Sequence, residues 1–134
     1  MKSKIFHLAI LFLVILSLHL VGVFARLYEK LIPIDIPQHI LAGVMFGIIW
    51  LWWLKPIMKT GLSKSLIFIS TLGFVALAGT AWEVLEFAVW KLLPSFANSF
   101  KFYSPTVREL LGDMTANLIG GLAVSFYAVC KKNA

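Results

Sequence analysis

Residues 5–25 read IFHLAILFLVILSLHLVGVFA, an apolar run that follows Lys2 and Lys4. About 20 apolar residues cross the hydrocarbon core of a bilayer as a helix, so this run predicts a membrane-spanning helix. A cleaved signal peptide is the alternative, because Val23 and Ala25 offer small side chains at a cleavage point. The run is longer than the roughly 7–15 apolar residues of such a peptide, which favours a retained span.

The composition of the whole chain predicts the same environment. Of the 134 residues, 60% are hydrophobic and only 13% are charged, and the mean hydropathy is +0.92. Four spans of about 20 residues use roughly 80 positions and leave about 54 for ends and loops, so four is the natural maximum. No polar stretch approaches the roughly 50 residues of a small independent domain. We therefore expect an all-α polytopic protein, with four transmembrane helices in a single membrane domain over residues 1–134.

Three further apolar runs complete the predicted bundle. The helices are expected at about residues 5–25, 36–54, 65–92 and 107–130. Asp35 can cap the second helix, and Pro56 is expected to close it, because proline disfavours helical backbone in the residue before it. Residues 95–105 predict a loop on the membrane interface. The spacing from Thr106 to Glu109 predicts a capping box that opens the last helix.

Lysines in the connections predict the orientation. With four spans, both termini and the middle loop share one side, which holds seven basic residues and no acid. That side should be cytoplasmic, because lysine and arginine are enriched in cytoplasmic loops. The net charge of +6 then indicates topology and contact with anionic lipid headgroups, and nucleic-acid binding is not expected. The seven residues are Lys2, Lys4, Lys55, Lys59, Lys64, Lys131 and Lys132.

Ionisable side chains occur inside the predicted spans. At 1.5 Å per residue, His39, Glu83, Glu86 and Asp113 lie roughly 6–10 Å inside the outer ends of their helices. A charge in the hydrocarbon is costly, so each such group needs a partner or a function. Glu83 and Glu86 are one turn apart and repel when both are ionised, so one should hold a proton or find a cation. The predicted binding-pocket residues are His39, Glu83, Glu86, Asp113, Asn117, Asp35 and Arg108.

Glycines share helix stripes with these polar residues. Small residues let membrane helices approach closely, so polar groups on the same stripes should face the bundle interior and one another. Asn117 is the deepest polar residue of its group on the last helix, where its amide can donate to a glutamate. The glycines expected to pack helices together are Gly43, Gly47, Gly79, Gly120 and Gly121.

Simpler roles stay open for several of these residues. Asp35 and Glu109 can be helix-terminus caps. His39 can be an interhelical hydrogen-bonding residue, and His19, alone on an apolar face, is typical of a structural role. One histidine and three carboxylates could hold a divalent metal, although their spacing matches no known metal signature. The sequence identifies no cofactor.

Three motifs occur in order along the chain, DIPQH at 35–39, WEVLE at 82–86 and DMTAN at 113–117. Their order and spacing resemble the VanZ-like group of small polytopic bacterial membrane proteins, including the YjdF-like inner-membrane proteins. The resemblance covers roughly residues 35–121. It implies a place in the bacterial inner membrane and a cell-envelope role, without an established biochemical activity. Glu86 stands where the usual VanZ pattern has glutamine, which favours the YjdF-like side over the glycopeptide resistance of the founding member.

Three kinds of function are consistent with these patterns. The first is a binding protein whose outward-facing polar pocket takes a cation, a proton or a lipid-linked headgroup. The second is a metal-dependent membrane enzyme that acts on a lipid or cell-wall intermediate at the outer leaflet. The third is a structural or assembly role, in which the polar groups only hold the helices together. The expected partners are the lipid bilayer, a lipid or cell-wall intermediate, and a second copy of the chain.

Overall fold

The computed structural model describes residues 2–28, 34–102 and 106–131, with side chains from residue 5 onward. These residues form α1 (Lys2–Phe24), α2 (Asp35–Met58), α3 (Lys64–Leu92), α4 (Pro94–Phe100) and α5 (Val107–Lys131). All except α4 are long and apolar enough to cross a membrane, which agrees with the predicted fold class. Of the residues named above, Lys132, residues 103–105 and the side chains of Lys2 and Lys4 lie outside the described part.

The second helix extends beyond its predicted end. It continues to Met58, so Pro56 lies inside its last turn instead of closing the helix. Proline removes one backbone N–H from the helix, but this position is so near the end that few hydrogen bonds depend on it. Both the backbone N–H and the hydroxyl of Thr60 donate to the carbonyl of Ile57 and close the turn.

Asp35 is not the cap of this helix, contrary to the prediction. Ile34 occupies the cap position without a side-chain hydrogen bond, and Asp35 is the first helical residue. Its carboxylate therefore acts on the helix through its charge at the positive end of the helix dipole. The side chain of Asp35 remains available for other contacts.

A short helix replaces the predicted interface loop. α3 ends at Leu92, and Pro94 begins α4 at the position where its missing N–H needs no partner. The helix ends at Phe100, and the next residue, Lys101, has a left-handed φ of 56°. The rings of Phe96 and Phe100 pack 4.7 Å apart and give α4 an aromatic face that suits a membrane interface.

Thr106 and Glu109 form one of the two bonds of the predicted capping box at the start of α5. The hydroxyl of Thr106 accepts the backbone N–H of Glu109 at 3.2 Å. The same hydroxyl donates to Glu109 Oε2 at 2.8 Å, so the carboxylate pairs with the hydroxyl. This contact fixes the start of the helix that carries the DMTAN motif at residues 113–117.

Three helices form the buried core. α5 packs against α2 and α3, which also contact each other, whereas α1 packs against α2 and α4. Buried positions of α3 repeat every four residues and therefore form one stripe that faces the neighbouring helices. These positions are Ile67, Thr71, Val75, Gly79 and Glu83. A glutamate thus continues a stripe that is otherwise occupied by apolar or small residues.

The closest approach joins α2 to α5. A Cβ on Gly43 would overlap the backbone carbonyl of Asn117, and one on Gly120 would overlap the carbonyl of Ile40. Only glycine lets these two backbones touch, as in other closely packed membrane helices. The remaining glycines of the predicted set also lie at helix contacts, Gly47 against Val124, Gly79 against Asn117 and Gly121 against Val75.

Candidate functional site

Three ionisable side chains from three spans meet at the end of the bundle next to α4. His39 of α2, Glu83 of α3 and Asp113 of α5 place a nitrogen or oxygen atom each within 4.8 Å of one another. His39 Nε2 lies 3.7 Å from Asp113 Oδ1, and these side chains are 12% and 13% exposed. Glu83 is 8% exposed. We call these three residues the His39 cluster.

Asn117 determines how the imidazole is held. Its Nδ2 donates to His39 Nδ1 at 3.1 Å and to the backbone carbonyl of Asp113, also at 3.1 Å. Because the amide donates to Nδ1, a neutral imidazole carries its proton on Nε2, on the side of Asp113. The expected donation of this amide to a glutamate was wrong, because its two N–H groups face α2 and the carbonyl of its own helix.

Two buried oxygens in this region have no hydrogen-bond partner among the described residues. They are Glu83 Oε1 and Asn117 Oδ1. Buried polar atoms are usually paired, and an unpaired one costs about 1–3 kcal/mol. Both atoms are acceptors. The site therefore has negative charge and unpaired acceptor oxygens, which a hydrogen-bond donor or a cation would stabilise.

Among the described residues, the charges that act on the carboxylates of the cluster have the same sign. The charged groups that act on Asp113 are Glu83, Asp35 and Glu109, all of them acids. Those that act on Glu86 are Glu83, Asp113 and Asp35. Carboxylates so close together in a medium of low dielectric repel strongly unless a proton or a cation balances them.

The other predicted pocket residues lie around the cluster. Glu86 is half-buried, and the charges of Glu83 and Asp113 act on it. Asp35 is half-buried, and its charge also acts on Glu83. Arg108 is exposed in the first turn of α5, and it forms no ion pair with the described residues of the cluster. The structure thus brings together three of the predicted residues, His39, Glu83 and Asp113. Asn117, a fourth, hydrogen-bonds the imidazole of His39.

A second polar network lies beside the first and was missed in the sequence. His19 Nε2 donates to the carbonyl of Phe100 at 2.8 Å, so its Nδ1 accepts the hydroxyl of Tyr28 at 2.9 Å. Gln38 Nε2 donates to the same hydroxyl at 3.0 Å. The charge of Asp35 also acts on Tyr28. His19, expected to be structural, connects α1 to α4.

The turn after α1 places Tyr28 in this network. Arg26 adopts a left-handed φ of 53°, and the N–H of Leu27 bonds back to the carbonyl of Gly22. The chain reverses so tightly that a Cβ on Gly22 would lie 2.7 Å from the Tyr28 ring. Burial raises the pKa of Tyr28 above its ordinary value of 10.0. The position of Gln38 directly before His39 was the one sequence signal for this network.

The fold and its buried polar interior define a multi-pass integral membrane protein with four long apolar helices. The chain belongs to the family described as "Predicted membrane protein (DUF2238)", whose model matches residues 4–133. No curated protein and no solved structure matches the chain. The match shows that the chain is a member of a family of small membrane proteins. The narrower VanZ-like or YjdF-like relationship remains a proposal.

Proposed function

We propose that this protein binds a cation in the His39 cluster, in the cytoplasmic membrane of a bacterium and with the α4 end facing outward. The observation that carries the proposal is Glu83 Oε1, a buried carboxylate oxygen without a hydrogen-bond partner among the described residues. The Glu83 carboxylate also places an oxygen within 4.8 Å of ligand atoms of a histidine and a second carboxylate from two other spans. An ionisable group inside a membrane bundle is a functional candidate when its charge is not already paired.

The sign of the site favours a cation over the anionic headgroup of a lipid-linked intermediate. A phosphate would meet Glu83, Asp113 and the charge of Asp35, and it would leave both unpaired acceptor oxygens without a donor. A cation, including a proton, satisfies these acceptors and reduces the repulsion among the acids. The VanZ-like motifs support a cell-envelope setting for this binding.

Cation-dependent stability of the purified protein tests the proposal. A ligand that binds only the folded state at 100 times its Kd adds about 2.7 kcal/mol to the free energy of unfolding. We expect such a gain for the wild type in a panel of monovalent and divalent cations and across pH. Glu83→Gln and Asp113→Asn should lose it.

Asn98→Ala is the control, because Asn98 is an exposed polar residue of α4 at the same end of the bundle and outside the cluster. This variant should keep the cation-dependent gain. If Glu83→Gln and Asp113→Asn fold and respond to cations and pH like the wild type, cation binding at this site is wrong. A purely structural role predicts instead that Glu83→Gln only raises stability, because it removes a buried unpaired charge.

An enzyme acting on a lipid or cell-wall intermediate is the second candidate function. The observation that favours it is the meeting of one imidazole with two carboxylates, the groups that most often transfer protons in catalysis. Incubation of the protein with extracted membrane lipids, followed by mass spectrometry of the products, tests it. Turnover by the wild type and its loss in His39→Gln would support catalysis. Identical product profiles for the wild type and for His39→Gln would exclude it for those lipids.

A further inference from the structure

We infer that the cation of the His39 cluster is a divalent first-row transition metal ion, held by His39 Nε2, a Glu83 oxygen and Asp113 Oδ1. This inference rests on the proposed function and names the class of ion. Imidazole together with carboxylate is a ligand set used for zinc, manganese and iron. No thiolate joins it, because Cys130 lies about 25 Å further along α5 from Asp113 at 1.5 Å per residue.

The distances match two ligands of one ion better than a hydrogen bond. His39 Nε2 and Asp113 Oδ1 are 3.7 Å apart, which exceeds the range of an N–H···O bond. Two ligands at bond lengths of about 2.1 Å on a tetrahedral ion lie about 3.4 Å from each other. The three ligand atoms lie within 4.8 Å of one another, so one ion can contact all three after small side-chain movements.

Burial distinguishes this group from a surface cluster of acids. Glu83 is more than nine-tenths buried, and its Oε1 has no hydrogen-bond partner in the described part of the chain. Each ligand also comes from a different helix, and the tight contact between Gly43 and Asn117 fixes two of those helices relative to each other. The donor set is therefore positioned by the packing of the bundle.

Asn117 provides the outer support that a metal-binding histidine needs. A ring that binds metal through Nε2 carries its proton on Nδ1 and usually donates that proton to an oxygen. Asn117 Nδ2 now faces His39 Nδ1, while Asn117 Oδ1 has no partner among the described residues. Rotation of the amide by half a turn brings Oδ1 to the ring, so this residue serves both states of the histidine.

Three protein ligands leave an open position on a four-coordinate ion. Sites with this arrangement keep water or substrate at the fourth position, whereas purely structural zinc sites are usually closed by four protein ligands. The exposed fraction of about one-eighth at His39 and Asp113 is consistent with access from the α4 end. The inference therefore also predicts an exchangeable water on the ion.

Metal titration of the full chain in lipid nanodiscs tests the inference. After chelation, Co²⁺ should restore one ion per chain and produce a visible absorption band, which Zn²⁺ should remove. Glu83→Gln, Asp113→Asn and His39→Gln should each weaken binding at least 100-fold, and Asn117→Ala should weaken it 10–100-fold. His19→Gln and Asn98→Ala are controls outside the cluster and should bind like the wild type.

Nuclear magnetic resonance of ¹⁵N-histidine-labelled wild type gives a readout that needs no variant. Zn²⁺ should shift Nε2 of His39 and move its proton to Nδ1, while His19 stays unchanged. Absence of stoichiometric metal, or binding that persists in His39→Gln, would overturn the inference. If protons or monovalent cations still stabilise the protein through Glu83 and Asp113, the proposed function survives without the metal.

Discussion

Gly43 of α2 packs so closely on Asn117 of α5 that a Cβ at residue 43 would overlap the asparagine's backbone carbonyl. The side chain of the same asparagine bonds His39, one turn away from Gly43. One residue therefore belongs both to the tightest helix contact and to the candidate site. Changes in helix packing should alter the geometry of the site.

Substitution of Gly43 by alanine should destabilise the protein. The added methyl group forces α2 and α5 apart, and such overpacking typically lowers the free energy of unfolding by about 1–3 kcal/mol. Gly73→Ala is the matched control, because nothing lies within 4 Å of a Cβ at that helical position. The control should be neutral or gain up to about 1 kcal/mol from helix propensity. Equal stability of the two variants in denaturant titrations would contradict the close contact.

Asn117→Leu should release the tautomer of His39. The leucine has a similar volume but cannot donate to Nδ1, so the proton should distribute between both ring nitrogens. In the metal-free wild type, ¹⁵N resonances should show the proton on Nε2. The ring of His19 is an internal control, since its own partners do not change. A metal-free wild type with the proton on Nδ1 would mean that the amide is turned the other way.

His19→Phe should loosen the attachment of α4. The phenyl ring keeps the stacking on Phe102, at 5.0 Å between centroids, but it loses both hydrogen bonds of the imidazole. Interhelical hydrogen bonds in membranes average about 0.6 kcal/mol, so amides of α4 should exchange hydrogen about 5–10-fold faster. Tyr127→Phe, which alters only an exposed hydroxyl, should leave this exchange unchanged.

Tyr28 should make stability sensitive to alkaline pH. Burial raises its pKa above the ordinary value of 10.0, so the unfolded chain loses this proton first as the pH rises. The contribution of the protonated Tyr28 hydroxyl to the free energy of unfolding is complete below pH 10. It declines as the pH rises toward the pKa of Tyr28 in the folded state. The free energies of unfolding of the wild type and of Tyr28→Phe should therefore approach each other as the pH rises above 10. A constant difference between them at all pH values would contradict the burial of this hydroxyl.

Cys130 reports on the predicted orientation. It is the single cysteine of the chain, exposed near the end of α5 on the predicted cytoplasmic side. A membrane-impermeant maleimide should leave it unlabelled in intact cells and label it after permeabilisation. In the Cys130→Ser background, a cysteine at the exposed α4 position Asn98 should react in intact cells. Labelling of Cys130 but not of position 98 in intact cells would show that the orientation is opposite to the predicted one.

Partners of the polar residues could be predicted less well than the spans. His39, Glu83 and Asp113 were expected at one depth and on inward faces, and the structure brings them together. The partner of Asn117 was wrong, because a shift of one helix face decides whether an amide meets a glutamate or a histidine. Tyr28 was missed because its position depends on the left-handed turn at Arg26, where no glycine marks the reversal.

Four apolar segments form helices because a backbone in lipid must satisfy its hydrogen bonds within the segment, and this can be inferred from the residue order alone. The same residue order shows which helices carry acids. The packing of the helices is needed to learn that Glu83 ends a buried stripe, that α4 replaces a loop, and that Asn117 holds His39. These depend on helix rotation and closest approach, set by contacts such as Gly43 on Asn117 and Gly120 on Ile40, which join residues far apart in the chain.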